Sequence, residues 1–340
     1  MDSLTQIVLG AAVGEAVLGK KIGNKAMLLG ALAGTIPDLD VVLKLFNSDP
    51  TFELRTHRAY SHSVFTHVLL AFPLAWLSAR WSKLEKSKIR WYWFWFLGLF
   101  THALLDCCTT YGTRLFLPFT DYQVAFNNIS VIDPLYTIPW LVVLIVALFF
   151  KRGSDRRRKW VRAGWIWSTA YMLMTFGLKL GVHNKFESTL EKENIAYDNL
   201  NTTPTIFNAA LWAAIAYNED SLSVAEYSYL NPKVPIKWTS YKRNIELAKA
   251  FPSDSLDVAL WFSDGQYFFE GNEDTARMFT VKFGRFNTHE TDATRAFMFY
   301  SDLYKDEKGG VVYAPLRPDD VDFKFSDALK QLSDRIGLTH

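Results

Sequence analysis

The sequence predicts a polytopic α-helical membrane domain of about five to six spans, followed by a soluble α+β domain with a mainly antiparallel sheet. Three observations lead there. Apolar runs of roughly 20 residues, the length a bilayer-crossing helix needs, fill residues 1–182. Residues 185–340 read as ordinary soluble chain, with a period of two in β-branched and aromatic residues from about 205 onward. Hydrophobic residues make up 49% of the 340, yet mean hydropathy is only +0.01, the average of a greasy half and a polar half. The division is a transmembrane domain over 1–183, a polar linker helix over 184–204 and a soluble domain over 205–340. This composition excludes disordered, collagen-like and disulfide-stapled classes. A net charge of +2 is too small to argue for a nucleic-acid partner. Cys107 and Cys108 are adjacent, and neighbours rarely close an unstrained disulfide.

Six stretches are candidate spans: about 3–19, 26–46, 63–81, 91–116, 132–150 and 160–182. Pro73 and Pro139 fall inside two of them, which membrane helices tolerate. The first two are short or carry acids and read equally as re-entrant or interfacial segments. The fourth and sixth open on aromatic clusters (Trp91, Trp93 and Trp95; Trp160, Trp165 and Trp167), as expected at a headgroup boundary. No basic n-region precedes the first run and no small-residue cleavage site ends it, so that run is expected to stay in the mature chain. Lysine and arginine crowd the loops at 20–25, 80–90 and 151–162. With six spans these loops share one side, which the positive-inside rule makes cytoplasmic. The expectation is a multi-pass protein of the cell (inner) membrane with an extracytoplasmic C-terminal domain.

In the soluble half, strands are expected over 205–217 and 221–230 around the turn Asn218-Glu219-Asp220, and over 258–263 and 266–270 around Asp264-Gly265, a strong hairpin signal. Further strands are expected at 276–286, 294–304 and 311–314. Amphipathic helices are expected at 241–251 and 326–336, the second capped by Ser326.

Ionisable groups within apolar segments are costly and point to function. His102 and Asp106 stand at i and i+4 on the fourth candidate span, so one helical face can turn both towards a metal. The same pair reads equally as a hydrogen-bonded helix contact. Asp38 and Asp40 follow Pro37, and two carboxylates this close repel unless a cation is near. Alternatively Asp38 caps the next turn. His57 and His62 flank the start of the third span, where Ser61 is a candidate cap. His67 lies on another face and is expected to pack or to support the ligands. His183, His289 and His340 read as boundary or surface residues.

Taken together, His57, His62 and His102 with Asp38, Asp40 and Asp106 come from three spans yet map to one level of the bilayer. Three carboxylates and three imidazoles balance most of the charge of two divalent ions. Zinc suits the histidines best, while manganese or magnesium suits the carboxylates.

The stretches Ile36-Pro37-Asp38-Leu39-Asp40, His57-Arg58-Ala59-Tyr60-Ser61-His62-Ser63 and His102-Ala103-Leu104-Leu105-Asp106 resemble the motifs of the membrane-bound metal-dependent hydrolases, which include the LexA-regulated inner-membrane hydrolases. The resemblance covers about residues 1–140, and Asp133-Pro134-Leu135 resembles members that carry a C-terminal domain. These motifs are similar to the ligand motifs of zinc-dependent phospholipase C, which implies a phosphoester substrate and one to three ions. Family members often carry a histidine near the start of the first span; here Thr5-Gln6 stands there, and Gln6 is at most a weaker additional ligand.

The resulting expectation is an integral-membrane hydrolase that cleaves a lipid or lipid-linked phosphoester with metal-activated water at the extracytoplasmic side. Asp38 would orient the water or act as general base, with His62 the second catalytic candidate. Arg58 and Arg114 are candidates to hold an anionic headgroup, or equally to pair with local acids. The partners expected are membrane lipid and an amphipathic substrate. Asp133 is either an added ligand or a helix cap, and Glu15 has no partner visible in the sequence. The rival readings are a divalent-metal transporter or binding protein, a membrane metal-dependent amidase or peptidase, and a structural protein whose C-terminal domain binds an envelope partner. No His-Glu-x-x-His motif occurs.

Overall fold

A computed structural model describes residues 1–286, 293–315 and 325–337. Expectations for His289 and His340 lie outside the described residues, as does the side chain of Ser326. The chain divides into two compact units. The first holds Met1–Phe46, Thr56–Phe176 and Ile206–Asn208, and the second holds the rest of the described residues.

The first unit is helical. Helix α1 (Ser3–Ile22) turns at Gly23 into α2 (Asn24–Ala33). Gly10 and Gly14 on α1 face Gly30 and Gly34 across this hairpin, so closely that a Cβ on Gly10 would come within 2.2 Å of the Gly30 carbonyl oxygen. Two small-xxx-small motifs thus let the backbones touch, as in membrane helix pairs. A 3-10 helix, Pro37–Phe46, follows after a bend, and the short α3 (Phe52–Thr56) after it belongs, except for Thr56, to the second unit. A 3-10 turn, Tyr60–His62, leads into α4 (Val64–Trp81). The cap of α4 is Ser63, whose Oγ accepts from the Phe65 N–H at 3.2 Å, and not Ser61. Helices α5 (Lys88–Cys107), α6 (Pro134–Leu148) and α7 (Asp155–Glu193) complete the set. Asp133 caps α6, accepting from the N–H groups of Leu135 and Tyr136, each at 3.1 Å, and from the Tyr171 hydroxyl at 2.9 Å. Glu15 meets Arg157 in a bidentate pair at 2.6 Å, and Arg157 also donates to Asn24 Oδ1.

The expectation of five to six spans is corrected. Among the described residues only α4 is long and apolar enough to cross a membrane alone, with mean hydropathy 1.2. Helix α2 and Pro37–Phe46 reach that standard only together, bent by 44° at their break. The structure therefore offers one candidate crossing, or two if the bent pair counts as one. The reason is length and charge. The 10 residues of α2 and 15 of α6 rise about 15 and 23 Å, short of a hydrocarbon core of about 30 Å. Helix α1 carries Glu15, Lys20 and Lys21, and α5 carries Lys88, Arg90 and Asp106. Without six crossings the multi-pass assignment and the shared side of the basic loops lose their footing.

The second unit contains the C-terminal part of α7 from Gly177 and two four-stranded antiparallel sheets. One runs β1 (Asn199–Pro204), β2 (Leu211–Tyr217), β3 (Ser221–Ser228) and β4 (Thr239–Lys242), and it buries Ile215, Leu222 and Val224. After α8 (Asp254–Ser263) comes the second sheet, β5 (Tyr267–Gly271), β6 (Thr275–Thr280), β7 (Tyr300–Lys305) and β8 (Val311–Pro315), interrupted by α9 (Ala293–Ala296). Helix α10 (Phe325–Ile336) ends the description.

Several expected elements change type. Residues 258–263 are helix, because Ser253 caps α8 by accepting from the Leu256 N–H, and Asp254 and Asp257 suit its first turn. Asp264 and Gly265, with φ of 49° and 76°, end that helix in the left-handed region and do not turn a hairpin. Residues 241–251 split into β4 and a 3-10 helix, Ile245–Ala250, at Asn244 with φ of 47°. The linker helix 184–204 stops at Glu193, and β1 occupies its second half by pairing with β2. Only 211–217 of the expected strand 205–217 is strand, 276–286 stops at Thr280, and 294–304 is α9 followed by β7.

Candidate metal centre

Four residues from three elements converge within the first unit. The 3-10 helix after the α2 bend brings Asp38, the turn Tyr60–His62 brings His62, and one face of α5 brings His102 and Asp106. One ligand atom from each lies within 4.8 Å of all the others. The Nε2 atoms of His62 and His102 are 3.1 Å apart. Asp38 Oδ1 is 3.4 Å from His62 Nε2 and 3.3 Å from His102 Nε2. Asp106 Oδ2 is 3.2 Å from His62 Nε2 and 3.6 Å from His102 Nε2. Ligands about 2.0–2.2 Å from a tetrahedral zinc ion stand about 3.3–3.6 Å from each other. The five separations, 3.1–3.6 Å, lie near those of that tetrahedron.

The hydrogen bonds around the cluster fix what its atoms offer. His102 Nδ1 lies 2.6 Å from the Gly34 carbonyl oxygen, which can only accept, so the proton is on Nδ1 and the Nε2 lone pair points inward. His62 Nδ1 donates to Ser61 Oγ at 2.9 Å, because the Ser61 hydroxyl itself donates a hydrogen bond to Asp40 Oδ2. His62 Nε2 therefore also faces the cluster with a lone pair. Asp38 Oδ1 and Asp106 Oδ2 are buried and accept no hydrogen bond, although Arg58 Nε stands 3.1 Å from the second. Four lone pairs that repel each other are turned to one point, where a cation satisfies all four. The donor set fits a divalent ion. Burial opposes a proton on His62, but Asp106 and Asp38 outweigh it and lift its pKa above the ordinary histidine value.

The remaining predicted residues stand around these four. Asp40 is engaged by the Arg58 N–H at 3.1 Å, by Ser61 and by His57 Nδ1 at 2.8 Å. Asp40 and His57 thus lie one step outside the four and orient His62. His67 donates from Nε2 to the Ser61 carbonyl at 2.8 Å, bracing the same turn. The Arg58 guanidinium is buried, 3.1 Å from Asp106 Oδ2 and 2.9 Å from Thr109 Oγ1, beneath the ring of Tyr111. Gln6 Nε2 donates to Asp106 Oδ1 at 3.0 Å, and the amino group of Met1 donates to the same oxygen. Gln6 thus meets Asp106 through its amide nitrogen. Arg114 stands apart, 3.8 Å from Asp121 Oδ1, and its backbone N–H donates to the Arg58 carbonyl. Sequence reasoning missed the roles of Gly34 and Ser61. The spacing Gly30-x-x-x-Gly34 and the serine beside His62 were the available signals.

A helical unit with one helix long enough to cross a membrane thus holds a candidate metal centre of two histidines and two aspartates. The chain belongs to the YdjM inner membrane protein family, whose family model matches residues 1–181. No curated protein and no solved structure matches it.

Proposed function

We propose that this inner-membrane protein is a metal-dependent hydrolase acting on a phosphoester in a lipid or lipid-linked substrate. The observation that carries the reading is the convergence of Asp38, His62, His102 and Asp106, with a buried Asp38 oxygen that accepts no hydrogen bond. A divalent ion held there, zinc being the one that two imidazoles suit best, would supply Lewis acidity and activate water at neutral pH. Asp38 is the group placed to orient that water or take its proton. Its side chain is 21% exposed, while those of His62, His102 and Asp106 are fully buried, so the cluster opens at Asp38. His62 keeps its orientation through Ser61 and Asp40, a support that metal-bound imidazoles commonly have. Arg58 neutralises Asp106 and so helps the cluster hold two carboxylates.

One observation favours a second reading, a metal-binding protein without chemistry. Four protein ligands complete a tetrahedron, as in structural zinc sites, whereas catalytic zinc usually keeps a position open. Elemental analysis of the full-length protein beside a His102→Ala, Asp106→Ala variant, followed by assay on a panel of phospholipids and peptides, separates these. Bound metal lost in the variant together with phosphoester cleavage supports the hydrolase. Metal without cleavage of any substrate supports the binding protein, and peptide cleavage moves the reading to an amidase. No metal in the folded wild-type protein after zinc and manganese are supplied ends both readings.

A further inference from the structure

The segment Pro37–Phe46 has two unlike sides. Asp38 and Asp40 turn to the metal cluster and its support, and Pro37 is buried. Leu39, Val42, Leu43, Leu45 and Phe46 are 45% to 84% exposed, half of a ten-residue element. The stripe begins earlier. Helix α2 presents Gly30 and Gly34 to α1, and Leu28 and Leu32 lie exposed. Monomeric soluble proteins rarely leave large apolar patches uncovered. Exposed aromatic residues join it around the loops that pack on the ligand turn. Phe119 meets Phe65 of the first turn of α4 at 4.5 Å, and Tyr60 and Tyr122 are exposed as well. Aromatic side chains with a polar tip are enriched where a membrane meets water.

Length argues against a plain crossing. Ten residues of 3-10 helix rise about 20 Å, less than the hydrocarbon core, and the 44° bend that separates them from α2 is that of a broken or re-entrant element. The carboxylates at the bend would be costly in the middle of the bilayer and cheap near its surface. We infer that Pro37–Phe46 is an interfacial element whose apolar side is immersed in the lipid bilayer, so that lipid is the partner seated at the edge where Asp38 opens the metal cluster. The inference rests on the membrane location of the family and on this surface, not on hydrolysis.

Site-directed spin labelling of the full-length protein in phosphatidylethanolamine–phosphatidylglycerol vesicles tests it. Nitroxides are attached at Leu45→Cys and Phe46→Cys, with Leu43→Cys in reserve should either fail to fold, and with exposed Glu219→Cys as the aqueous reference. Cys107 and Cys108 are buried and stay unlabelled. The expected result is a several-fold higher ratio of oxygen to nickel-chelate collisions at 45 and 46 than at 219. A ratio equal to that at 219 places the segment in water and overturns the inference. Spectral broadening between labels that persists at high lipid dilution shows a second copy covering this face, and overturns it too. Zinc content measured on the same samples keeps the two proposals apart. Protein that binds no metal yet shows lipid-embedded labels loses the proposed centre and keeps this element.

Discussion

The carbonyl oxygen of Gly34 lies 2.6 Å from Nδ1 of His102, so a glycine of the α1–α2 hairpin sets the tautomer of an imidazole in the candidate metal cluster. The same glycine cannot carry a Cβ without meeting the Gln6 carbonyl oxygen at 2.5 Å and Gly10 Cα at 3.0 Å. Helix packing and ligand orientation therefore meet in one residue. Gly34→Ala should spread the hairpin, cost about 1–3 kcal/mol of stability by overpacking, and weaken zinc binding about 10–100-fold through the displaced carbonyl. Gly14→Ala, which meets the Ala26 carbonyl at 2.1 Å, should destabilise similarly with a smaller effect on zinc. Thermal melts in detergent and competitive zinc titration give both numbers. Equal zinc affinity in Gly34→Ala and wild type would remove the link.

Ser61 stands between Asp40 and His62, and its hydroxyl both accepts from Nδ1 and donates to the carboxylate. Ser61→Ala should lower zinc affinity about 10–100-fold, the usual scale for lost outer support of a histidine ligand. Ser61→Thr keeps the hydroxyl and should restore most of it. Asp40→Asn should resemble Ser61→Ala in affinity while metal stoichiometry stays at the wild-type value. Loss of stoichiometry in Asp40→Asn would instead make Asp40 a ligand.

Acid should release the metal. His62 must be unprotonated to offer Nε2, and its pKa is raised because Asp106 and Asp38 outweigh the opposing effect of burial. A raised pKa means the competing proton binds at higher pH than on a free histidine. Zinc affinity is therefore expected to be full well above the ordinary histidine range and to fall, by about tenfold per pH unit for each displaced ligand proton, as pH drops through it. Titration of zinc binding from about pH 8 to about pH 6, across the histidine range, reads this directly. A flat profile would mean that His62 does not ligate.

What the sequence displayed and what it hid follow from the range of the interactions involved. The four cluster residues were visible because ionisable side chains in apolar segments stand out one at a time. Which of the six candidates converge was not visible, because Asp40 and His57 differ from Asp38 and His62 only in where the bend after α2 and the turn at Tyr60–His62 point them. The span count failed for a related reason. Apolar runs mark burial, and residues such as Trp91, Phe94 and Leu99 of α5 are apolar because they are packed in protein. In the second unit Asp264-Gly265 fits a hairpin and a helix end alike. The cap at Ser253, eleven residues before Asp264, decides between them.

Glu15 and Arg157 form a bidentate pair, Arg157 being 1% exposed, and Arg157 Nη1 also donates to Asn24 Oδ1 and to the Phe150 carbonyl. One guanidinium thus ties α1, the start of α2, the end of α6 and the first turn of α7. Removing one partner leaves a buried charge uncompensated, which typically costs about 3–5 kcal/mol. Glu15→Ala and Arg157→Ala should each lower the melting temperature of the detergent-solubilised protein strongly. Glu15→Leu combined with Arg157→Leu should lose less than either alone, because no orphan charge remains. Additive losses in the double variant would show that the pair contributes through packing alone.

Arg243 plays the corresponding part in the second unit, where its guanidinium donates to three carbonyl oxygens, those of Tyr267 at 3.1 Å, Asn218 at 2.6 Å and Gly265 at 2.7 Å. The rings of Tyr217 and Tyr267 flank it at 5.4 and 4.8 Å. These contacts join the β2–β3 turn to the Asp264-Gly265 helix end and to β5, so the arginine fastens one sheet to the other. Lysine has the charge but not the planar fork, and it can reach only part of this set. Arg243→Lys should therefore destabilise the unit by about 1–2 kcal/mol, the scale of leaving part-buried carbonyls unpaired, while metal content stays unchanged. Hydrogen exchange should show faster opening at Tyr267 and Gly265 in that variant than in wild type. Unchanged exchange there, with wild-type melting, would mean that the stacked tyrosines and the sheet cores hold this junction without the guanidinium.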